Sequence, residues 1–213
     1  MTGHDDFAFE PIPGLPTEPP KGELILWQGR PDTMSLALQA YGLAWVAAYF
    51  VGLIVWRGSV GFNLAGMQGA IAFALPYAAI GLVGCGLIYL MAWIQARATV
   101  YTITSARVAM RIGAALTVTL NLPFTQIGDA TLAKGRRGTG NIALRLLGDT
   151  RLSYLVVWPH VRPWFIARTQ PTLRCIPEAA KVAQLLADAA HTRIAQPVVT
   201  RPAPSVGALM AAE

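Results

Sequence analysis

The chain has 213 residues, 54% of them hydrophobic and only 13% charged, whereas an ordinary soluble domain carries roughly a quarter charged residues. That deficit excludes a simple water-soluble globule. With 17 basic against 11 acidic residues and a net charge of +6, the useful question is where the charges lie.

Residues 1–32 form an acidic arm rich in proline. Pro11, Pro13, Pro16, Pro19 and Pro20 fix φ and remove amide donors, so a helix is excluded. Phe7, Phe9, Ile12 and Leu15 are its apolar anchors, suited to docking in a partner's groove; a solvated tail is the alternative for such composition. From Thr33 to Trp56 run 24 residues without an acidic or basic side chain. As a helix they reach roughly 36 Å, enough for a hydrocarbon core about 30 Å thick. Gly58 to Gly69, with four Gly, Asn63 and Gln68, reads as a short loop. Ala70 to Ala96 reads as a second span, with a mild kink at Pro76. Residues 33–96 are therefore expected to be a two-helix transmembrane hairpin. A cleaved signal peptide is disfavoured, because the apolar run starts behind 32 acidic, proline-rich residues.

Basic residues set the orientation. Residues 1–33 hold two, Arg57 stands alone, and residues 97–213 hold fourteen, so the positive-inside rule puts both termini in the cytoplasm. Local charge is −4 in the arm and +9 in the C-terminal part. Beside a bilayer such basicity favours anionic headgroups or an acidic partner surface over nucleic acid. Cys85 and Cys175 are too separated, and in the wrong compartment, for a disulfide. The spans carry Gly42, Gly52, Gly81, Gly84 and Gly86, which permit close helix contacts within one chain or between chains.

Beyond Ala98 the pattern becomes extended. Val100 to Ile103 and Arg107 to Ile112 flank a turn at Thr104-Ser105, Leu116 to Leu122 alternates apolar with polar residues, and Phe124 to Leu132 continues after Pro123. Lys134 to Asn141 is a glycine-rich basic loop, either a hairpin connection or a headgroup site built on Lys134, Arg136 and Arg137. Ile142 to Leu147 and Leu152 to Val157 read as a further hairpin. Pro177 and Glu178 open a helix whose Val182, Leu185, Leu186 and Ala189 share one face. The fold class expected is thus two transmembrane helices plus a β-rich domain over residues 97–195, closed by a C-terminal amphipathic helix, with residues 196–213 a disordered tail.

Strands in series closed by such a helix resemble the bacterial pleckstrin-homology-like membrane proteins. Two stretches resemble one group of them: His4 to Pro16, and Trp158-Pro159-His160-Val161-Arg162-Pro163-Trp164 continuing to Gln170–Arg174. They are similar to the PuhB family of photosynthetic complex assembly proteins in purple phototrophic bacteria. The resemblance implies a multi-pass protein of the inner or intracytoplasmic membrane that assists assembly of the reaction centre with its core light-harvesting ring. It implies no catalysis and no cofactor of its own, bacteriochlorophyll being met through partners. Partners would be reaction-centre subunits, core light-harvesting polypeptides, other assembly factors, membrane lipids and a second copy in a homodimer.

Within the central stretch, Trp158, His160, Arg162 and Trp164 are the candidate partner contacts, since prolines stiffen the backbone and Trp and Arg dominate binding hot spots. Trp at the headgroup level is the alternative. His160 as a pigment ligand is weaker than His160 as a hydrogen-bonded structural residue, because neither span contains a His. His4, His160 and His191 are scattered and the acids show no catalytic spacing, so neither a catalytic nor a metal site is expected. A membrane-tethered headgroup-binding module is the alternative function.

Overall fold

A computed structural model describes residues 14–15, 18–20, 22–113, 117–135, 137–148 and 152–195. Phe7, Phe9, Ile12, Arg136 and the expected disordered tail lie outside the described residues. Strand β1 (Ile25–Gly29) and helix α1 (Thr33–Gln39) precede the long helix α2 (Leu43–Ala98). Strands β2 (Val100–Thr104), β3 (Arg107–Ile112) and β4 (Val118–Pro123) follow, then a 3-10 turn at Phe124–Gln126. The chain ends with β5 (Ile127–Lys134), β6 (Thr139–Leu146), the single-turn helix α3 (Tyr154–Val157), β7 (Thr172–Pro177) and α4 (Ala179–Ala195).

The strands form two antiparallel sheets, ordered β1-β2-β3-β4 and β5-β6-β7. Tyr101, Ile103, Val108, Met110 and Ile112 from the first sheet share one core with Ile142, Leu144, Leu173 and Ile176 from the second. Val182, Leu186 and Ala189 of α4 close that core, with Leu185 partly buried beside them. The apolar stripe read from the sequence is the buried face.

α2 is long and apolar enough to cross a membrane, and it carries its apolar side chains outward: Trp45, Leu64 and Leu82 are 82%, 70% and 77% exposed. Its helical geometry breaks at Ala65 and Gly66, where Gly66 has φ of 62°. Beyond that point the chain doubles back. A β-carbon placed on Gly61 would lie 2.2 Å from the Gly69 carbonyl oxygen, one on Gly58 would lie 3.6 Å from the Ala74 β-carbon, and one on Gly81 would meet the Phe50 ring at 2.8 Å. The two arms therefore run antiparallel in contact, and Gly81 marks a contact within one chain. Gly52 and Gly86 face open space.

Several boundaries differ from those expected. The first apolar run does not form one helix from Thr33, because Asp32 caps a separate α1 through its Oδ1, which accepts from the Ser35 amide at 2.8 Å. Gly42, at φ of 69°, then separates α1 from α2. Gly58 to Gly69 is not a loop; helical structure continues through it except at Ala65 and Gly66, since the glycines that look like breakers serve close packing instead. Leu152 to Val157 is not a strand, and β7 pairs with β6 in its place. The β-domain also starts before the hairpin: β1 pairs with β2 across Gln28↔Thr102 and Gly29↔Tyr101. Glu23 adds an ion pair to Arg107 at 2.8 Å and accepts the Thr104 hydroxyl at 2.6 Å, so the acidic arm and the basic domain do meet.

Candidate functional site

The polar residues concentrate where the β-domain meets the foot of the hairpin. Strand register puts Thr172 opposite Ala143 and Leu173 opposite Ile142, which carries the following Arg174 and Cys175 toward α1. The Asp32 amide donates to the Cys175 carbonyl at 2.8 Å, and the Cys175 amide donates to Asn141 Oδ1 at 2.8 Å. Asn141 Nδ2 in turn donates to Gln39 Oε1 at 3.1 Å, and the Thr139 hydroxyl donates to that of Ser35 at 3.3 Å. Burial pushes the Cys175 thiol up to about 11, far from the reactive thiolate.

Arg174 is 5% exposed. Its guanidinium donates to the carbonyls of Pro159 at 3.1 Å and Gln39 at 3.2 Å, while its Nε is buried without a partner. Both acceptors are neutral, and no carboxylate pairs with Arg174 among the described residues. The Arg174 amide donates to the Tyr101 hydroxyl at 3.2 Å.

That hydroxyl also meets His160, which is wholly buried: Nδ1 lies 2.5 Å from Tyr101 Oη, and Nε2 lies 3.1 Å from Thr99 Oγ1 and 3.4 Å from Gln95 Nε2. A neutral imidazole has one donor and one acceptor nitrogen, and the hydroxyls can serve either. Burial, and after it the charge of Arg174, lowers the His160 pKa to about 3. Gln95 and Thr99 sit at the last turn and cap of α2, so His160 is a strut between the central loop and the hairpin.

The candidate residues therefore separate. His160 is not a surface contact, because its ring is consumed inside the chain. Leu15 is likewise not a free anchor; it is 2% exposed, and a β-carbon on neighbouring Gly14 would collide with Val100. Trp158 is 42% exposed and stacks edge-on against Tyr41 at 5.2 Å. Trp164 is 92% exposed, with exposed Phe165 and Ile166 following it and exposed Leu155 and Val156 preceding Trp158. Arg162 stacks over the Phe165 ring at 4.3 Å and donates to Gln170 Oε1 at 3.2 Å. Lys134 and Arg137 are exposed on the glycine-rich loop, which lies beside α1: a β-carbon on Gly135 would be 3.2 Å from Gln39 Nε2.

Sequence reasoning missed Arg174 and Tyr101 as members of this junction. A charged residue between Leu173 and Cys175, in a stretch bounded by Pro171 and Pro177, was the available signal. Chemically the junction offers cations, amides, hydroxyls and an exposed apolar rim. Among the described residues no three His, Cys, Asp or Glu are grouped to hold a metal ion.

A relative from Rhodobacter capsulatus, described as an uncharacterized 23.7 kDa protein in the puhA 5' region, is 48% identical over 217 residues, covering 99% of each chain. No solved structure matches the chain. Residues 39–190, which hold the hairpin, both sheets' remaining strands and most of α4, match the family described as the bacterial PH domain; the chain belongs to that family.

Proposed function

We propose that this protein is a non-catalytic membrane assembly factor for the photosynthetic reaction centre and its core light-harvesting complex. Both arms of α2 cross the bilayer in this reading, the turn at Ala65-Gly66 faces the periplasm, and the PH-like domain and both termini are cytoplasmic. The observation that carries it is the exposed apolar ridge of Trp164, Phe165 and Ile166, mounted on a loop that His160 and Arg174 tie to the hairpin foot. An apolar patch so placed can receive a membrane-embedded partner as it folds or docks. The position of the Rhodobacter relative in the puhA 5' region, and the peptide similarity to photosynthetic assembly proteins, supply the partner class.

The test is deletion of the gene in its phototrophic host, complemented by the wild-type chain or by a Trp164→Ala/Ile166→Ser double variant. Near-infrared absorbance of the core complex should fall on deletion and be restored only by the wild type, at equal membrane levels of the two proteins. Reaction-centre or antenna subunits should co-purify with the wild type. Normal core complex after deletion would overturn the reading. It would favour a membrane-tethered headgroup-binding module, for which the exposed Lys134 and Arg137 beside Gln39 are the specific support.

A further inference from the structure

Arg57 is the single charged side chain between Thr33 and Ala96, and a hairpin that spans the bilayer carries it into the hydrocarbon. Polar Asn63 and Gln68 flank the turn at Ala65-Gly66, and Arg57 precedes Asn63 by six residues, about 9 Å deeper at the helical rise. The guanidinium stays at that depth. Its central carbon lies 5.2 Å from the Phe73 ring centroid, 5.7 Å from that of Tyr77 and 5.9 Å from that of Trp56. Gly58 faces Ala74 across the hairpin, so Phe73 and Tyr77 bracket the level of Arg57, with Tyr77 on the side away from the turn. The side chain therefore does not reach for the membrane surface as a snorkelling arginine does. Aromatic faces attract its charge, but a guanidinium carries five N–H donors. Among the described residues Arg57 makes no hydrogen bond or ion pair, and its Nε is buried without a partner. Charges within a bilayer pair with one another. Residues 33–96 hold no Asp or Glu, so neither this hairpin nor that of a second copy can supply the anion.

We propose that Arg57 docks a transmembrane helix of a different polypeptide, one that presents an Asp or Glu carboxylate at the depth of Arg57 in the half of the bilayer nearer the turn. Charge complementarity selects the acid, and arginine's planar fork takes both carboxylate oxygens together. The Trp56 ring beside the guanidinium is itself exposed and offers the incoming helix an apolar flank. A partner that buries its own carboxylate in the bilayer gains as much from the pair as Arg57 does, which makes the contact specific among otherwise apolar helices. The inference rests on the reading that the hairpin spans the bilayer, and it adds a chemistry for the partner that the assembly role leaves open.

The experiment uses the full chain in its native membranes, with the photoreactive substitution Leu64→p-benzoylphenylalanine. Leu64 is exposed and stands seven residues beyond Arg57, on the same side of the helix. Irradiation should join it to a transmembrane segment of another protein that contains an Asp or Glu. Arg57→Leu should lower the yield about tenfold, the scale of a hydrogen bond between charged groups, and Arg57→Lys should lower it less. Replacing the partner's carboxylate by Lys should have the effect of Arg57→Leu, and combining it with Arg57→Glu should restore the crosslink. If Arg57→Leu does not insert, that exchange of charges still decides. The purified Arg57→Leu chain should melt in detergent no lower than the wild type, since it loses no partner of its own; a lower melting temperature would overturn the proposal and make Arg57 a clamp between the two arms. A yield indifferent to Arg57, a crosslinked segment without a carboxylate, or crosslinks to lipid alone would each overturn it too. Reaction-centre or antenna subunits that co-purify while the crosslink ignores Arg57 would overturn this inference and leave the assembly role standing. An Arg57-dependent crosslink to the helix of an unrelated membrane protein would support it and overturn the assembly role.

Discussion

His160 shows how one residue's environment becomes a property of the protein. Its folded pKa is depressed to about 3 by burial and by Arg174, below the ordinary value of about 6.5. As pH falls through about 6.5 the unfolded chain takes up a proton that the native chain does not. The His160 contribution is therefore present above that pH and lost progressively toward pH 3. Between pH 7 and pH 5 the native state should lose about 2 kcal/mol through this group. Equilibrium unfolding at the two pH values should show that loss in the wild type and a loss smaller by about that amount in His160→Gln. An identical pH dependence in both would refute the assignment. In the heptapeptide around His160, both His160 and Trp164 were candidate partner contacts, although a hydrogen-bonded structural role was already the stronger alternative to pigment ligation for the lone His. The surrounding Tyr101, Thr99 and Gln95 decide for that structural role, while Trp164 four residues on stays exposed.

At the scale of elements, the hairpin is specified by small residues on its facing sides. A Gly58→Cys/Ala74→Cys pair, in a Cys85→Ala background, has β-carbons about 3.6 Å apart, inside the range that a disulfide spans. Oxidation in membranes should crosslink the pair within one chain, detected as faster migration on non-reducing gels. Failure to crosslink would rule out the antiparallel contact. Gly61→Ala brings its β-carbon against the Gly69 backbone carbonyl, which no rotamer change relieves; the cost should be roughly 1–3 kcal/mol, read as a lower melting temperature in detergent. The turn at Ala65-Gly66 was not separable from its flanks by composition, because glycine marks both turns and close helix contacts. Strands β2, β3 and α4 were legible, since each alternates or repeats with its own period. β1 and β7 were not: β1 opens on exposed Ile25 and Leu26, preceded by exposed Leu24, and lies beside a transmembrane-length run, and β7 is buried at all but its last position, which erases alternation.

At the scale of the molecule, the sheet is assembled from both sides of the hairpin. Residues 97–195 alone lack β1, α1 and Glu23, leaving β2 as an open edge with Thr104 and Arg107 deprived of their carboxylate. That fragment should aggregate, as unprotected edges do. Ala40 and Tyr41 pack against the same small cluster as Ala96, so the hairpin ends are adjacent. Replacing residues 43–98 with a short Gly/Ser linker should give a soluble domain with a dispersed amide NMR spectrum. A folded 97–195 fragment would show that β1 is dispensable.

Charge depletion and its asymmetry are properties of the sequence alone, because the length and apolarity that a membrane span requires are read over some twenty residues and need no tertiary contact. The strand and helix periods of most of the β-domain are local in the same sense. Tertiary structure decided the rest: that the β-domain recruits β1 from before the hairpin, that His160 and Leu15 are interior, and that Arg174 is a buried cation. Each depends on residues brought together from distant parts of the chain, where partner, burial and dielectric are set by packing that no local pattern encodes.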